Sequence, residues 1–139
     1  MTKPLSLVVE DDADLSEIFR EALSAAGFST EVIRDGQIAR DRLLEIVPAV
    51  VILDLHLPTV SGETLLQQIR GTPQLNNTRV VVTTADALAA DFLRDSADFV
   101  MVKPISYVQL RDLAKRLNPD LQTNKFKNAN FPDQGNKNS

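Results

Sequence analysis

The sequence has no cysteine, no tryptophan and a single histidine, His56. Without cysteine there is no disulfide and no thiolate metal site, and one histidine cannot build a multi-histidine zinc site. Lysine and arginine total 15 against 19 aspartates and glutamates, and no basic block occurs. We therefore expect no nucleic-acid surface. The remaining metal-binding chemistry is that of carboxylate oxygens, which suit hard cations.

Long apolar runs are also absent. No run approaches the ~20 residues that a membrane span needs. The N-terminal stretch MTKPLSLVVEDD turns acidic at once and lacks the apolar core of a signal peptide. We expect a soluble cytoplasmic protein without membrane contact, and a chain of 139 residues suits one domain.

Five short apolar runs, rich in valine and isoleucine, alternate with amphipathic stretches. The runs cover 5–9, 29–33, 50–53, 80–83 and 99–102. Most are continuous rather than alternating, which is typical of strands buried on both faces. This pattern predicts an α/β fold with a five-stranded parallel sheet and helices on both faces, a doubly wound (βα)5 arrangement.

Helical spacing of apolar residues lies between these runs. It predicts helices over 15–26, ending at Gly27; over 39–47, closed by Pro48; around 65–69, closed by Gly71; over a short 87–94; and over 107–117, before Pro119. We place one domain at 1–118. Residues 119–139 are polar and aperiodic, and we expect a disordered tail there.

Polar residues gather where the predicted strands end. The first run is followed by Glu10, Asp11 and Asp12, the third by Asp54, the fourth ends in Thr83 and Thr84, and Lys103 follows the fifth. Ligands of parallel sheets bind outside the carboxyl ends of the strands. Singly, each residue also fits a structural role, such as a helix cap for Asp11 or Asp12. A structural role explains Asp54 less well, because a carboxylate directly after Val-Ile-Leu is costly to bury unless it is ligated or paired.

The chemistry of such a cluster points to phosphoryl transfer. Crowded carboxylates raise one another's pKa, and a divalent cation together with Lys103 would relieve that repulsion. Mg²⁺ is typically held by one or two carboxylates plus water and phosphate oxygens. Asp54 could attack phosphorus without a general base, while Mg²⁺, Lys103 and a threonine hydroxyl neutralise charge.

Four fragments in order carry a family resemblance: LVVEDDADL, VVILDLHLPTVSGETLL, VVTTAD and FVMVKP. Over about residues 4–117 they resemble the receiver domain of two-component response regulators, of the CheY-like superfamily and the stand-alone type. The resemblance implies a flavodoxin-like sheet of order 2-1-3-4-5. The switch point between strands 1 and 3 would bring Asp11 and Asp54 face to face.

The resemblance also assigns roles to particular residues. It implies that Asp54 is the phosphoacceptor, Thr84 the switch hydroxyl and Lys103 the phosphate-binding lysine. It also implies a Mg²⁺ site. The ligands of that site would be Asp11, Asp54, the backbone carbonyl of His56 and, through water, Glu10. Asp12 is left as a helix cap, and the Lys103–Pro104 bond is often cis in the family. The His56 side chain is expected to overhang the site in solvent. In the family, the residues at the positions of His56 and Asp86 tend to affect how fast the phosphoryl group is lost.

The implied partners are a sensor histidine kinase or phosphotransfer protein and a downstream effector protein. The chain is expected to be no enzyme in the ordinary sense, although it would catalyse its own phosphorylation and dephosphorylation. We expect a monomer, with dimerisation on phosphorylation left open.

The chain departs from the family on one side. Val100 stands three residues before Lys103, where the family usually has an aromatic residue, and Phe99 is its neighbour. The stretch from Thr84 to Lys103 is short, so the fourth helix should be short or poorly formed, and Ser96 replaces a usual glycine. The departures motivate an alternative, a phosphorylation-independent protein-interaction module.

Two further readings fit less well. A haloacid-dehalogenase-like phosphatase needs a second aspartate, as general acid, at the position that His56 occupies. A doubly wound flavin-binding protein needs a phosphate-binding loop after the first strand, where this chain has three acids that would repel a phosphate.

Overall fold

The computed structural model describes residues 2–121, which form one parallel five-stranded sheet. The strands are β1 (Leu5–Val9), β2 (Ser29–Ile33), β3 (Val50–Asp54), β4 (Arg79–Thr84) and β5 (Phe99–Val102). Their spatial order is β2-β1-β3-β4-β5. The predicted doubly wound fold and its strand order are confirmed.

Five helices and one short 3₁₀ turn connect the strands. They are α1 (Ala13–Ala25), α2 (Gly36–Arg42), α3 (Gly62–Arg70), the 3₁₀ turn Pro73–Leu75, α4 (Ala87–Leu93) and α5 (Tyr107–Leu117). Every α-helix has an aspartate or serine N-cap whose side chain accepts a backbone N–H: Asp12, Asp35, Ser61, Asp86 and Ser106. These caps satisfy N–H groups that have no partner inside the helix. None of the helices in residues 2–121 is long and apolar enough to cross a membrane.

Each face of the sheet has its own apolar core. Leu53 of β3 packs on the side of α2 and α3, whereas its neighbour Ile52 packs on the side of α1 and α5. Phe19 and Leu110 anchor the α1–α5 side. Both faces are therefore covered, which is why the inner strands β1, β3 and β4 are mostly apolar without alternation, whereas the edge strand β2 is partly exposed.

The last turn predicted for the second helix is wrong. α2 ends at Arg42, and the N–H of Glu45 bonds the Arg42 carbonyl in a tighter turn. The residue before a proline avoids the helical region, so the chain must leave the helix before Pro48. Val47, which the helical pattern would bury, is 62% exposed.

A charged network fixes the short connection between α4 and β5. The guanidinium of Arg70 donates to the Ser96 carbonyl at 2.8 Å, to the Thr78 carbonyl at 3.2 Å and to Asp98 Oδ2 at 2.7 Å. Asp98 Oδ2 also accepts the N–H of Val80 at 2.7 Å. The end of α3 thereby holds the entries of β4 and β5 together. The predicted shortness of the fourth helix is confirmed, since α4 has seven residues.

The described chain ends beside α1. Asn118 is buried, and its Nδ2 donates to the Ala26 carbonyl at 2.9 Å. Residues 119–121 are helical. The rest of the predicted disordered tail lies outside the described residues, and the boundary at 118 stays a prediction.

Candidate functional site

Three carboxylates meet where β1 and β3 end. Glu10 follows β1 directly, Asp54 is the last residue of β3, and the two strands are neighbours in the sheet. Carboxylate oxygens of Glu10, Asp11 and Asp54 lie within 4.8 Å of one another. Glu10 and Asp54 are 1% and 3% exposed, whereas Asp11 is exposed. The structure therefore brings together the acids that the sequence placed at strand ends, with one side open to solvent.

Lys103 reaches this cluster from the end of β5. Its Nζ donates to Glu10 Oε1 at 2.9 Å and lies 3.5 Å from Asp54 Oδ1. The Lys103 side chain is only 19% exposed. The peptide bond between Lys103 and Pro104 is cis, as the resemblance implied.

Burial and pairing act against each other on these groups. Burial raises the pKa of Glu10, and the hydrogen bonds from Lys103 and the Asp12 N–H offset part of that rise. For Lys103, burial alone would lower the pKa. The hydrogen bond to Glu10 and the charges of Glu10 and Asp54 outweigh burial, and the pKa is raised. Lys103 is therefore a cation at neutral pH, placed against the carboxylates.

The loop after β1 is held at several points. Asp12 caps α1 by accepting the Leu15 N–H at 2.9 Å, as predicted, and its own N–H donates to Glu10 Oε2 at 3.2 Å. Arg34 donates from Nε and Nη2 to the Asp11 carbonyl at 3.1 and 3.0 Å. The sequence analysis missed Arg34. The only signal for Arg34 in the sequence is its position, as a basic residue directly after the strand that is expected to lie beside β1.

The loop after β3 shapes the other side of the site. The N–H of His56 donates to Asp54 Oδ1 at 3.3 Å, and the His56 side chain is exposed, as expected. A Cβ on Gly62 would lie 2.2 Å from the Asp54 carbonyl oxygen. Only glycine lets α3 start this close to the strand that carries Asp54.

Two threonines end β4, and their surroundings differ. The Thr84 hydroxyl accepts the Asp86 N–H at 3.0 Å, and Asp86 in turn caps α4. Thr83 is the register partner of Asp54, so the two side chains leave the sheet on the same face. The Thr83 hydroxyl is the one buried side-chain polar atom within residues 2–121 that has no hydrogen-bond partner.

Phe99 does not replace the aromatic residue that Val100 displaces. Val100 packs on the α2–α4 side of the sheet, in the same cluster as Ala89 and Leu93 of α4. Phe99 packs on the opposite side with the α1–α5 core. Adjacent strand residues face opposite sides of the sheet, so the Phe99 ring does not occupy the side on which Val100 lies.

The donor set fits Mg²⁺. The cluster offers carboxylate oxygens and no nitrogen or sulfur ligand among the residues that the structure describes. Oxygen ligands with room for water are what Mg²⁺ prefers. The exposed Asp11 supplies that open side.

Comparisons with known proteins agree with this geometry. Residues 6–115 match the family model of the response regulator receiver domain. The chain is 35% identical over 117 residues to the phosphate regulon transcriptional regulatory protein PhoB of Rhizobium meliloti, covering 82% of this chain and 52% of that protein. It is 33% identical over 121 residues to the DNA-binding response regulator MtrA of Mycobacterium tuberculosis, covering 85% of this chain and 50% of that protein.

Solved structures share the fold. The chemotaxis response regulator CheY4 of Vibrio cholerae superposes with a TM-score of 0.75 at 22% identity, covering 84% of this chain and 99% of that one. The chain spans about half the length of the curated relatives it matches. From the match to the family model, the strand order and the acidic cluster, this chain belongs to the family of response regulator receiver domains.

Proposed function

We propose that Asp54 accepts a phosphoryl group from a phosphohistidine of a sensor histidine kinase or phosphotransfer protein. Mg²⁺ would be held by Asp11, Asp54, the His56 carbonyl and, through water, Glu10. One observation carries the proposal: the Lys103 ammonium contacts both Glu10 and Asp54 beside an open cluster of three carboxylates. Three carboxylates face one ammonium there, so a bound cation would offset the negative charge that remains.

The transfer needs little beyond placement and charge neutralisation. A carboxylate oxygen of Asp54 attacks phosphorus, the P–N bond breaks, and its electron pair remains on the imidazole of the donor. Bound Mg²⁺ would offset negative charge on the phosphoryl oxygens. Lys103 is 3.5 Å from Asp54 before the reaction, so its ammonium is at hand to pair with the incoming group.

The phosphoryl group would be lost by hydrolysis. Water attacks phosphorus, the P–O bond to Asp54 breaks, and the carboxylate leaves as inorganic phosphate is released. The His56 side chain is exposed beside Asp54, and we propose that it affects the access of that water. On this proposal the chain catalyses its own phosphorylation from the donor phosphohistidine and its own dephosphorylation by water.

Output would pass through Thr84. Its hydroxyl holds the Asp86 N–H, and Asp86 caps α4. If Thr84 turns toward a phosphoryl group on Asp54, that contact weakens and the start of α4 can move. Leu88 and Phe92 of α4 are 74% and 86% exposed, which gives a downstream effector protein an apolar surface to contact.

The first experiment is an intact-mass measurement after incubation with acetyl phosphate and Mg²⁺. We expect a gain of one phosphoryl group in the wild type. The gain should be absent with EDTA and in Asp54→Asn, and unchanged in the matched control Asp95→Asn, which changes an exposed acid on the α4–β5 connection. Transfer from a phosphorylated histidine phosphotransfer protein would then test the donor.

The alternative of a phosphorylation-independent interaction module draws on Val100, which removes the aromatic residue of the usual signal path. A wild type that binds Mg²⁺ but gains no mass from either donor would favour this alternative and contradict the proposed phosphotransfer. A partner that binds phosphorylated wild type, unphosphorylated wild type and Asp54→Asn with equal affinity would contradict the proposed output.

A further inference from the structure

The three-residue loop between β1 and α1 carries a metal-binding carboxylate that its own neighbours do not fix. The Glu10 N–H donates to the Ile33 carbonyl at 3.1 Å, and Asp12 is fixed as the cap of α1. Asp11, between them, has an exposed side chain. Its peptide carbonyl is held from outside the loop, by Arg34.

The contact from Arg34 uses the shape of a guanidinium. Nε and Nη2, two nitrogens on one edge, donate to the same Asp11 oxygen at 3.1 and 3.0 Å. A lysine ammonium carries the same charge but cannot present this fork. Because the peptide unit is planar, fixing the carbonyl also fixes the plane of the peptide bond that joins Asp11 to Asp12. That restricts the direction in which the Asp11 side chain leaves the backbone.

We propose that Arg34 is a positioning residue for metal binding, which holds the Asp11 peptide so that its carboxylate stays in the cluster with Glu10 and Asp54. The inference rests on the proposed function, because it concerns the Mg²⁺ site of that reaction. β2 supplies no carboxylate to the cluster, yet the residue after it sets the geometry of one ligand. A ligand ordered before the metal arrives costs less to order on binding, so the affinity rises.

Charge works in the opposite direction. A guanidinium near three acids repels an incoming cation, so deleting Arg34 would mix a loss of order with a gain in electrostatic attraction. Arg34→Lys separates the two effects, because it keeps the positive charge and removes the fork. Arg40→Lys is the matched control, an exposed arginine on α2 outside the carboxylate cluster.

The test is a calorimetric Mg²⁺ titration of wild type, Arg34→Lys and Arg40→Lys. We expect the Kd for Mg²⁺ to rise about three- to tenfold in Arg34→Lys, the size expected for the loss of one ordinary hydrogen bond, and to stay unchanged in Arg40→Lys. In EDTA, amide hydrogen exchange at Asp12 should be faster in Arg34→Lys, because the loop opens more often.

Phosphorylation by acetyl phosphate separates positioning from a general structural role. The Mg²⁺ concentration for half-maximal rate should rise by the same factor as the Kd, while the rate at saturating Mg²⁺ stays within about twofold. A merely structural residue would lower the saturated rate and leave the Mg²⁺ dependence alone.

Each outcome decides the matter. Equal Mg²⁺ affinity in wild type and Arg34→Lys overturns the inference about Arg34, whatever the phosphorylation result. A wild type that binds Mg²⁺ but accepts no phosphoryl group overturns the proposed function, and the Kd comparison still decides the role of Arg34. A wild type that does not bind Mg²⁺ overturns both.

Discussion

Replacing Lys103 with methionine tests whether its ammonium is what makes two buried acids tolerable. Glu10 has 2% of its side chain exposed and bonds the Lys103 Nζ at 2.9 Å; Asp54 has 4% exposed and lies 3.5 Å away. Removing one partner of a buried pair costs about 3–5 kcal/mol, because the other charge is left without compensation. Lys103 retains 19% exposure, so water screens part of the loss. We expect about 3 kcal/mol, at the lower end.

The assay is urea unfolding at pH 7 in EDTA, with Glu10→Gln and the double variant to complete the cycle. The double variant should recover about half of the loss or more, because no unpaired Glu10 charge remains. The deficit of Lys103→Met should also shrink as the pH falls. Burial raises the folded pKa of Glu10 above its ordinary 4.5, so its protonation favours the folded state at low pH, and this contribution is lost as the pH rises through the folded value. Equal stability of wild type and Lys103→Met at pH 7, or no recovery in the double variant, would refute the reasoning.

Three further predictions concern single side chains. Thr83→Val keeps the shape and removes an unpartnered buried hydroxyl, so the melting temperature should stay equal or rise, whereas Thr84→Val should lower it through a lost partner worth about 1 kcal/mol; a large loss in Thr83→Val would show that the hydroxyl has a partner. Gly62→Ala should destabilise by about 2 kcal/mol or more in urea unfolding, because its Cβ would overlap the Asp54 carbonyl; a neutral effect would contradict the close approach. The hydrogen bond from Arg42 lowers the pKa of Glu31 in the folded state. The stability that Glu31→Gln removes should therefore be present above pH 4.5 and be lost as the pH falls through the folded pKa. A stability difference that does not depend on pH would exclude the ion pair as its source.

The strands could be predicted because burial on both faces leaves a simple mark in the sequence. The predicted runs match the five strands almost to the residue, although β2 is not a continuous apolar run. The residues missed at strand ends were polar: Arg79, Asp54 and Thr84. Periodicity could not tell where α2 ends. Ile46 and Val47 continue the helical spacing, but the helix ends at Arg42, and Pro48 disfavours a helical conformation at Val47.

The candidate site was accessible from sequence because parallel strands bring their carboxyl ends to one edge. That rule groups Glu10, Asp54 and Lys103 without any distance. It cannot reveal Arg34, whose contribution is a contact to a backbone carbonyl, nor show that the Thr83 hydroxyl lacks a partner. Both depend on the path of the backbone and on rotamers, which residue types alone do not determine.

Val100 lies in the same apolar cluster as Ala89 and Leu93 of α4, and its side chain limits how this receiver can signal. A valine side chain has one rotatable bond and no ring to turn from an inner to an outer position. Val100 therefore cannot add a ring to the α4 surface in one state and withdraw it in another. A partner that distinguishes phosphorylated from unphosphorylated protein at this face would instead read the position of α4 and of its exposed Leu88 and Phe92.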